Sequence, residues 1–384
     1  MQGKVLLLAT LATKQQETDY LMSRLHDHGV DVAVLDVSLH TRGKVLNGPE
    51  KQAAMQDAIA RVWDQAAAAV DIGANAIVGI GGGTGGEIIL SVLRALPITF
   101  PKVLVTTLPF DPRAALADNS IVLVPTLVDI CGLNATLREV LENTAALTAG
   151  LCSTRRKGDA CVENPSVGIT ALGATEGAIA LLVQGLRSRG QEATVFHANG
   201  YGGAAFSRFA TRGAFHSLID LTPHELTRIT IAGAHVPMPD RFTAAADRPR
   251  IVLPGGLNFI GLGAAVTLSQ RFLSRPHYAH SASFTHVKLT PEEMEQVARA
   301  LAGHLNALTA PCDVIIPMGG FSHQDRPGGA IEDAALRAVF RDTLMSAIGP
   351  GVHITEMPDH ISGPAVTDAI LATFDRQQKE APHG

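Results

Sequence analysis

The chain has 384 residues, 46% of them hydrophobic and 17% charged, with a formal charge of −5. That is apolar material for two or three cores at roughly 150 residues per domain, which excludes a disordered chain or a disulfide-stapled miniprotein. With no basic excess, nucleic acid is not an expected partner; four dispersed cysteines without CxxC spacing, and a start with neither a signal-type segment nor a membrane span, point to a cytoplasmic protein.

The first half alternates strand-like and helix-like segments, the order that builds a parallel sheet covered on both faces. Residues 4–10, 30–37, 75–80, 102–108 and 120–126 are short, nearly continuous apolar runs, as strands buried on both sides require. Residues 17–28 and 52–70 carry apolar side chains three and four apart and predict helices, and 134–151 predicts a third. The polar, proline-bounded stretch 152–165 predicts a boundary between domains 1–160 and 161–384. A second α/β round follows, with strands expected at 166–172, 193–198, 217–221, 250–255, 286–289, 312–318 and 352–357. Its helices are expected at 177–189, 202–213, 291–308, 331–348 and 363–376, the third opening on Thr290-Pro291-Glu292-Glu293, a capping-type start. The apolar run 257–268 reads as a helix, either buried in the core or exposed and pairing two copies into a homodimer. The fold expected is α/β: two Rossmann-like open-sheet domains, mostly parallel strands with helices on both faces.

Glycine placement carries the chemistry. Gly81, Gly82, Gly83, Thr84, Gly85 and Gly86 lie directly after the third strand and open a helix, a cradle of backbone amides for phosphate or carboxylate. No GK[ST] follows, so this is not a P-loop, and Gly81-x-Gly83-x-x-Gly86 meets the dinucleotide fingerprint only formally because it follows the third strand. Glycines that merely let the helix pack tightly on the sheet are the competing reading. Thr13 and Lys14 leave the end of the first strand together, Asp36 ends the second, and Asp129 and Asn134 follow the fifth. A capping threonine beside a surface lysine explains the first pair as well. In the second domain, glycine turns follow strands at 197–205, 253–258 and 318–329. His197 ends a strand where open sheets bind ligands, or is a hydrogen-bonded structural histidine. There is no GxSxG elbow and no HExxH, and no metal-ligand spacing. Thr285-His286-x-Lys288 and Ser322-His323-x-Asp325 remain as acid/base clusters.

The ordered set TLATK, GIGGGTGG, VPTLVDICGLN, VFHANGYGGAAF, IDLTPHEL, LPGGLNF and GGFSHQDRPGG, spread over residues 4–374, resembles the family of the ATP-binding N-terminal domain of the plant tobamovirus resistance protein and its bacterial relatives. The resemblance implies two Rossmann-like domains with ATP and magnesium as cofactors. It puts the nucleotide on the first domain, its phosphates at Gly81 to Gly86, Thr13 and Lys14 close by, and Asp129 and Asn134 in the same cleft. In the second domain the matching positions are Gly200, Gly202, Gly203, Asp220 and Asn258 as a substrate-cleft set, Thr222 and Glu225 beside them, and His197, Ser322 and Asp325 as catalytic candidates. Three positions depart from the family pattern: Ala12 stands where an aspartate is usual, Thr84 keeps the hydroxyl of a serine, and His280-Ser281-Ala282 replaces histidine-asparagine-proline. The function expected is an ATP-binding, magnesium-dependent protein with a small polar metabolite or carboxylate in a cleft between its domains. The alternatives are an enzyme acting on a sugar acid or carboxylate without nucleotide, and a non-catalytic nucleotide-binding interaction module like the plant relative.

Overall fold

The computed structural model describes residues 3–41, 44–109, 111–153 and 164–380. The chain divides into two compact units, Met1–Asp159 and Ala160–Gly384, each built on its own sheet. The N-terminal unit runs β1 (Gly3–Ala9), α1 (Leu11–Asp27), β2 (Val30–Asp36), α2 (Gly48–Asp71), β3 (Ala76–Ile80), α3 (Gly83–Ala95), β4 (Lys102–Thr106), α4 (Arg113–Leu116), β5 (Ile121–Pro125) and α5 (Ala135–Ser153). Its strands are all parallel, in the order β2-β1-β3-β4-β5. β1 shows why such strands read as unbroken apolar runs. Leu6 and Leu8 join the core beneath α2 and α3, whereas Val5, Leu7 and Ala9 join the one beneath α1 and α5. Successive side chains point to opposite faces, and both faces are covered.

The C-terminal unit runs β6 (Ser166–Ala171), α6 (Glu176–Arg187), β7 (Ala193–His197), α7 (Gly202–Thr211), β8 (Phe215–Asp220), α8 (Glu225–Thr230), β9 (Arg250–Val252), β10 (Phe259–Leu262), α9 (Gln270–Leu273), β11 (His277–Ser281), β12 (Phe284–Lys288), α10 (Pro291–Asn306), β13 (Cys312–Pro317), α11 (Ala334–Ala347), β14 (Val352–Met357) and α12 (Pro364–Glu380). Six strands form a parallel sheet in the order β14-β13-β9-β8-β6-β7, and β10, β12 and β11 form a small antiparallel sheet. α10 starts at the capping box expected: the Glu293 amide donates to the Thr290 hydroxyl at 3.3 Å, and the Thr290 amide to the Glu293 carboxylate at 3.1 Å.

The two units share one winding. In each, the first strand lies between the second and third, so the sheet grows outward in both directions from β1/β3 or from β6/β8. The crevice above the carboxyl ends at that reversal is where open α/β sheets bind ligands.

Three expectations change. Residues 257–268 do not form a helix: Phe259 to Leu262 pair antiparallel with β12, and Leu257, Phe259 and Ile260 are fully buried, so the run offers no exposed helical face for a homodimer. Gly261 and Gly263 weaken a helix there. β11 is polar and exposed and has no apolar period to mark it. α1 starts at Leu11 rather than Glu17, because its first amides find acceptors from a distant strand end: Leu11 donates to Asp36 at 3.1 Å and Ala12 to the Ser38 hydroxyl at 3.1 Å. Most of the expected boundary stretch, residues 154–163, lies outside the described residues. No helix among the described residues is long and apolar enough to cross a membrane.

Candidate functional site

A cavity of about 450 Å³ opens at the carboxyl ends of the N-terminal strands, at the β1/β3 reversal. Thr13 and Lys14 of α1, Gly82 to Gly85 at the start of α3, Thr107 after β4 and Asp129 after β5 line it. The N-cap of α3 is Gly82, which has no side chain to bond the first amides, and the first turn holds no acidic residue. Those amides and the positive end of the helix dipole therefore stand uncapped at the cavity wall.

The glycines of this turn have different jobs. A Cβ on Gly81 would stand 2.7 Å from the Gly86 nitrogen, and one on Gly85 would stand 2.6 Å from the Thr10 methyl. Gly86 is also close-packed, against the Gly81 carbonyl and the Thr106 hydroxyl at 3.1 Å. A Cβ on Gly83 would meet nothing within 4 Å, and one on Gly82 only the Thr107 hydroxyl at 3.9 Å. Tight helix-on-sheet packing thus accounts for Gly81, Gly85 and Gly86, and not for Gly82 or Gly83.

Seven of the ten residues expected at the first-domain site share this cavity: Thr13, Lys14, Gly82, Gly83, Thr84, Gly85 and Asp129. Gly81 and Gly86 shape the turn behind the wall. Asn134 caps α5, its carbonyl oxygen accepting from the Leu137 amide at 2.9 Å. The Lys14 ammonium donates to the Ile130 carbonyl. Asp36 does not line the cavity; its Oδ1 accepts from the Leu11 and Ser38 amides and the Ser38 hydroxyl. Partial burial works against its ionisation, but the Ser38 and Leu11 hydrogen bonds hold the carboxyl below the usual range. Ser38 and Thr107, also on the wall, belong to no motif; only their places just past β2 and β4 could have singled them out.

The second-domain residues divide into a buried brace and a pocket. In the brace, Arg241 donates from Nη1 and Nη2 to Asp220 at 2.8 and 2.9 Å, and from Nε to Glu225 at 2.6 Å. The Thr170 hydroxyl donates to Asp220 at 2.5 Å, and the Gly203 and Gly200 amides to Glu225 at 2.8 and 3.2 Å. Burial alone would raise the Asp220 carboxyl; Arg241 and Thr170 hold it below the usual range. A Cβ on Gly203 would stand 2.2 Å from the Glu225 carboxylate, and one on Gly202 would stand 2.2 Å from the His197 carbonyl. Thr222 bonds the Thr175 hydroxyl at 2.8 Å. Asp325 accepts from the Phe321 and Asp333 amides and from Arg337 at 2.6 Å; burial pushes its carboxyl up to about 6 against those donors. The Ser322 hydroxyl and both polar atoms of the Asn258 side chain are buried without a hydrogen-bond partner. Among the described residues no hydrogen bond joins the His197, Ser322 and Asp325 side chains.

The pocket, about 210 Å³, lies at the β6/β8 reversal. Leu172 and Ala174 after β6, His197 after β7 and His224 and Arg228 around α8 meet Phe259, His280, Phe284 and His286 from the small sheet. Of these, His197, His280 and His286 were named in the sequence and His224 and Phe259 lie in its motifs; Arg228 and Phe284 were not marked. His286 stacks on Phe259 with centroids 4.0 Å apart, and His280 stacks on His286 at 4.9 Å. Burial, with Arg228 nearby, pushes His224 down to about 3; burial, with His280 and Arg228, pushes His286 down to about 4. Unfolded imidazoles titrate near 6.5, so protons favour the unfolded chain: stability present above pH 6.5 is lost as pH falls toward these folded values. Lowering the pH from 7 to 5 should cost about 2 kcal/mol per ring. Urea unfolding at the two pH values should show a shallower loss in His286→Asn than in the wild type; an equal loss would mean that His286 is not held neutral.

Fold and cavities together define a two-domain, doubly wound α/β protein with a candidate ligand site at the reversal of each sheet. The chain belongs to the UPF0261 family: residues 42–157 match the N-terminal domain and residues 164–377 the C-terminal domain of what is described as an uncharacterised protein family. It is 31% identical to a UPF0261 protein of Rhizobium meliloti over 97% of this chain and 98% of that one. A Mesorhizobium japonicum UPF0261 protein is 32% identical over 90% of this chain and 88% of its own length. The ToMV resistance protein Tm-1(GCR237) of Solanum lycopersicum is 27% identical over 78% of this chain and 41% of its own length. A solved structure of a candidate UDP-N-acetylglucosamine 2-epimerase from Listeria monocytogenes covers 100% of this chain and 98% of its own at 9% identity, with a TM-score of 0.23, too weak a likeness to inform fold or activity.

Proposed function

We propose that the N-terminal unit binds ATP in the cavity at the β1/β3 reversal. The observation that carries this reading is the uncapped glycine start of α3, with Gly82 and Gly83 open to the cavity and Thr13, Thr84 and Lys14 on the same wall. Helix-start amides, hydroxyls and an ammonium are the donors a polyphosphate needs. Val37, Leu39 and Ile88 supply an apolar stretch of wall suited to a base. The choice of ATP among phosphate ligands rests on the motif resemblance to the tobamovirus resistance family.

Magnesium fits this site as a companion of the nucleotide. The ion takes phosphate oxygens and water with only one or two carboxylates, and Asp129 is the carboxylate on the wall, Ala12 offering none. Among the described residues no group of three or more histidine, cysteine, aspartate or glutamate side chains is assembled to hold a metal by itself. The protein's own part is to seat the phosphates on the Gly83 to Gly85 amides, neutralise charge with Lys14 and hold the ion's water shell with Asp129.

Calorimetric titration of the full chain with ATP and magnesium, set against adenosine, tests this. ATP should bind measurably and adenosine at least about tenfold more weakly, because the donors address the phosphates. No ATP binding by folded protein at millimolar ligand, or equal binding of adenosine, would overturn it.

A further inference from the structure

The pocket at the β6/β8 reversal contains a buried cation with no salt-bridge partner among the described residues. Arg228 is 4% exposed, and among the described residues no carboxylate comes within ion-pair distance of it; Glu225, whose charge acts on it from farther off, is already paired with Arg241. Its Nη1 donates to the Ala234 carbonyl at 2.8 Å and its guanidinium lies over the Phe284 ring at 5.4 Å, while its Nε is buried without a partner. Of the other buried arginines, Arg241 pairs with Asp220 and Glu225 and Arg337 with Asp325, while Arg250 spends both terminal nitrogens on the Phe242 and Ala244 carbonyls; Arg228 is the one of the four on the wall of this pocket. An unpaired buried charge is costly, and an anion arriving in the pocket would offset that cost.

A hydrogen-bond acceptor stands beside this cation. His224 Nδ1 lies 2.7 Å from the Gly256 carbonyl, which can only accept, so Nδ1 carries the proton and Nε2 of the neutral ring a lone pair. Arg228 Nη2 and His224 Nε2 lie 2.5 and 2.9 Å from the point where a Cβ on Gly261 would stand, so they are close neighbours. His286 adds a second buried imidazole, its Nδ1 without a partner. The remaining wall is largely apolar, from Leu172, Ala174, Phe259 and Phe284.

We propose that this pocket binds a small 2-hydroxycarboxylate, the carboxylate on Arg228 and the adjacent hydroxyl donating to His224 Nε2. A single guanidinium in an apolar pocket suits a monoanion. A phosphate dianion asks for more donors than these residues provide. The volume, about 210 Å³, is below that of pockets for drug-sized ligands, roughly 300–1,000 Å³, so the ligand is a short acid. Gly261 is required here, because a side chain would fill the space the two nitrogens share.

Calorimetry on the full chain with lactate and mandelate tests the assignment. Propionate and phenylacetate, which lack the hydroxyl, the amides of both acids, which lack the charge, and inorganic phosphate are the comparisons. At least one hydroxy acid should bind, and loss of either group should weaken it by about tenfold or more. Arg228→Met should abolish binding while the circular dichroism of the folded chain is kept. If that variant does not fold, His224→Gln should weaken the hydroxy acids without weakening the deoxy acids. No binding of either hydroxy acid, phosphate binding as tight as theirs, or binding undiminished in Arg228→Met would overturn the proposal. Because the N-terminal helix start can also take carboxylate or phosphate, only binding that survives in Gly83→Val and is lost in Arg228→Met counts for this pocket, which keeps the result separate from the ATP titration.

Discussion

Replacing Arg241 by methionine should destabilise the C-terminal unit by about 3–5 kcal/mol. The cost comes from what is left behind. Asp220 and Glu225 are 2% and 0% exposed, and both depend on this guanidinium. Without it, two carboxylates stay buried close together with only Thr170 and the Gly200 and Gly203 amides as donors. A domain of this size has a net stability of roughly 5–15 kcal/mol, so the loss is a large share of the total. The methionine itself packs acceptably, because Arg241 already lies between the Phe206 and Phe242 rings, 4.9 and 4.7 Å from their centroids. Urea unfolding measures the effect. A cost below about 1 kcal/mol would mean that the two carboxylates are protonated or hydrated, and that the brace is not ionic.

Gly83→Val should abolish ATP binding and leave the fold intact, while Gly81→Val should damage the fold. The contrast follows from the surroundings of the two Cβ positions. At Gly83 the new side chain enters open cavity, where the phosphates are proposed to sit; at Gly81 it meets the backbone of Gly85 and Gly86 at 2.8 and 2.7 Å. Overpacking against backbone typically costs about 1–3 kcal/mol. Melting curves together with calorimetry separate the two effects. If Gly83→Val binds ATP as the wild type does, the nucleotide does not use the start of α3.

The parallel sheets were legible because a strand covered on both faces needs apolar residues at every position, as Val5 to Ala9 illustrate. The glycine turns were legible for a related reason, since a strand end that hands its chain to a helix start needs a residue without a side chain. Their separate jobs were not legible. Gly81 and Gly83 look alike in the sequence, and only the atoms around each Cβ distinguish a packing glycine from one that faces a cavity. The arginines were hidden more deeply. Arg228 and Arg241 lie in polar stretches with no periodicity, and Arg241 earns its role through Asp220, twenty-one residues away, and Glu225, sixteen away. The expected substrate set, Gly200, Gly203 and Asp220 among it, came from the motif resemblance, and the structure commits those polar groups to this brace. The histidine pocket depends on β12, most of which was expected as a strand at 286–289, and on β11, whose exposed polar residues carry no pattern that foretells the small sheet.

Amide hydrogen exchange with and without ATP and magnesium tests the central reading most directly, because it locates the ligand as well as detecting it. We predict slowed exchange at residues 13–14 and 82–85, where the helix-start amides would be held by phosphate, and little change in the C-terminal unit. Protection confined to the C-terminal unit, or none at saturating ATP, would contradict nucleotide binding at the β1/β3 reversal.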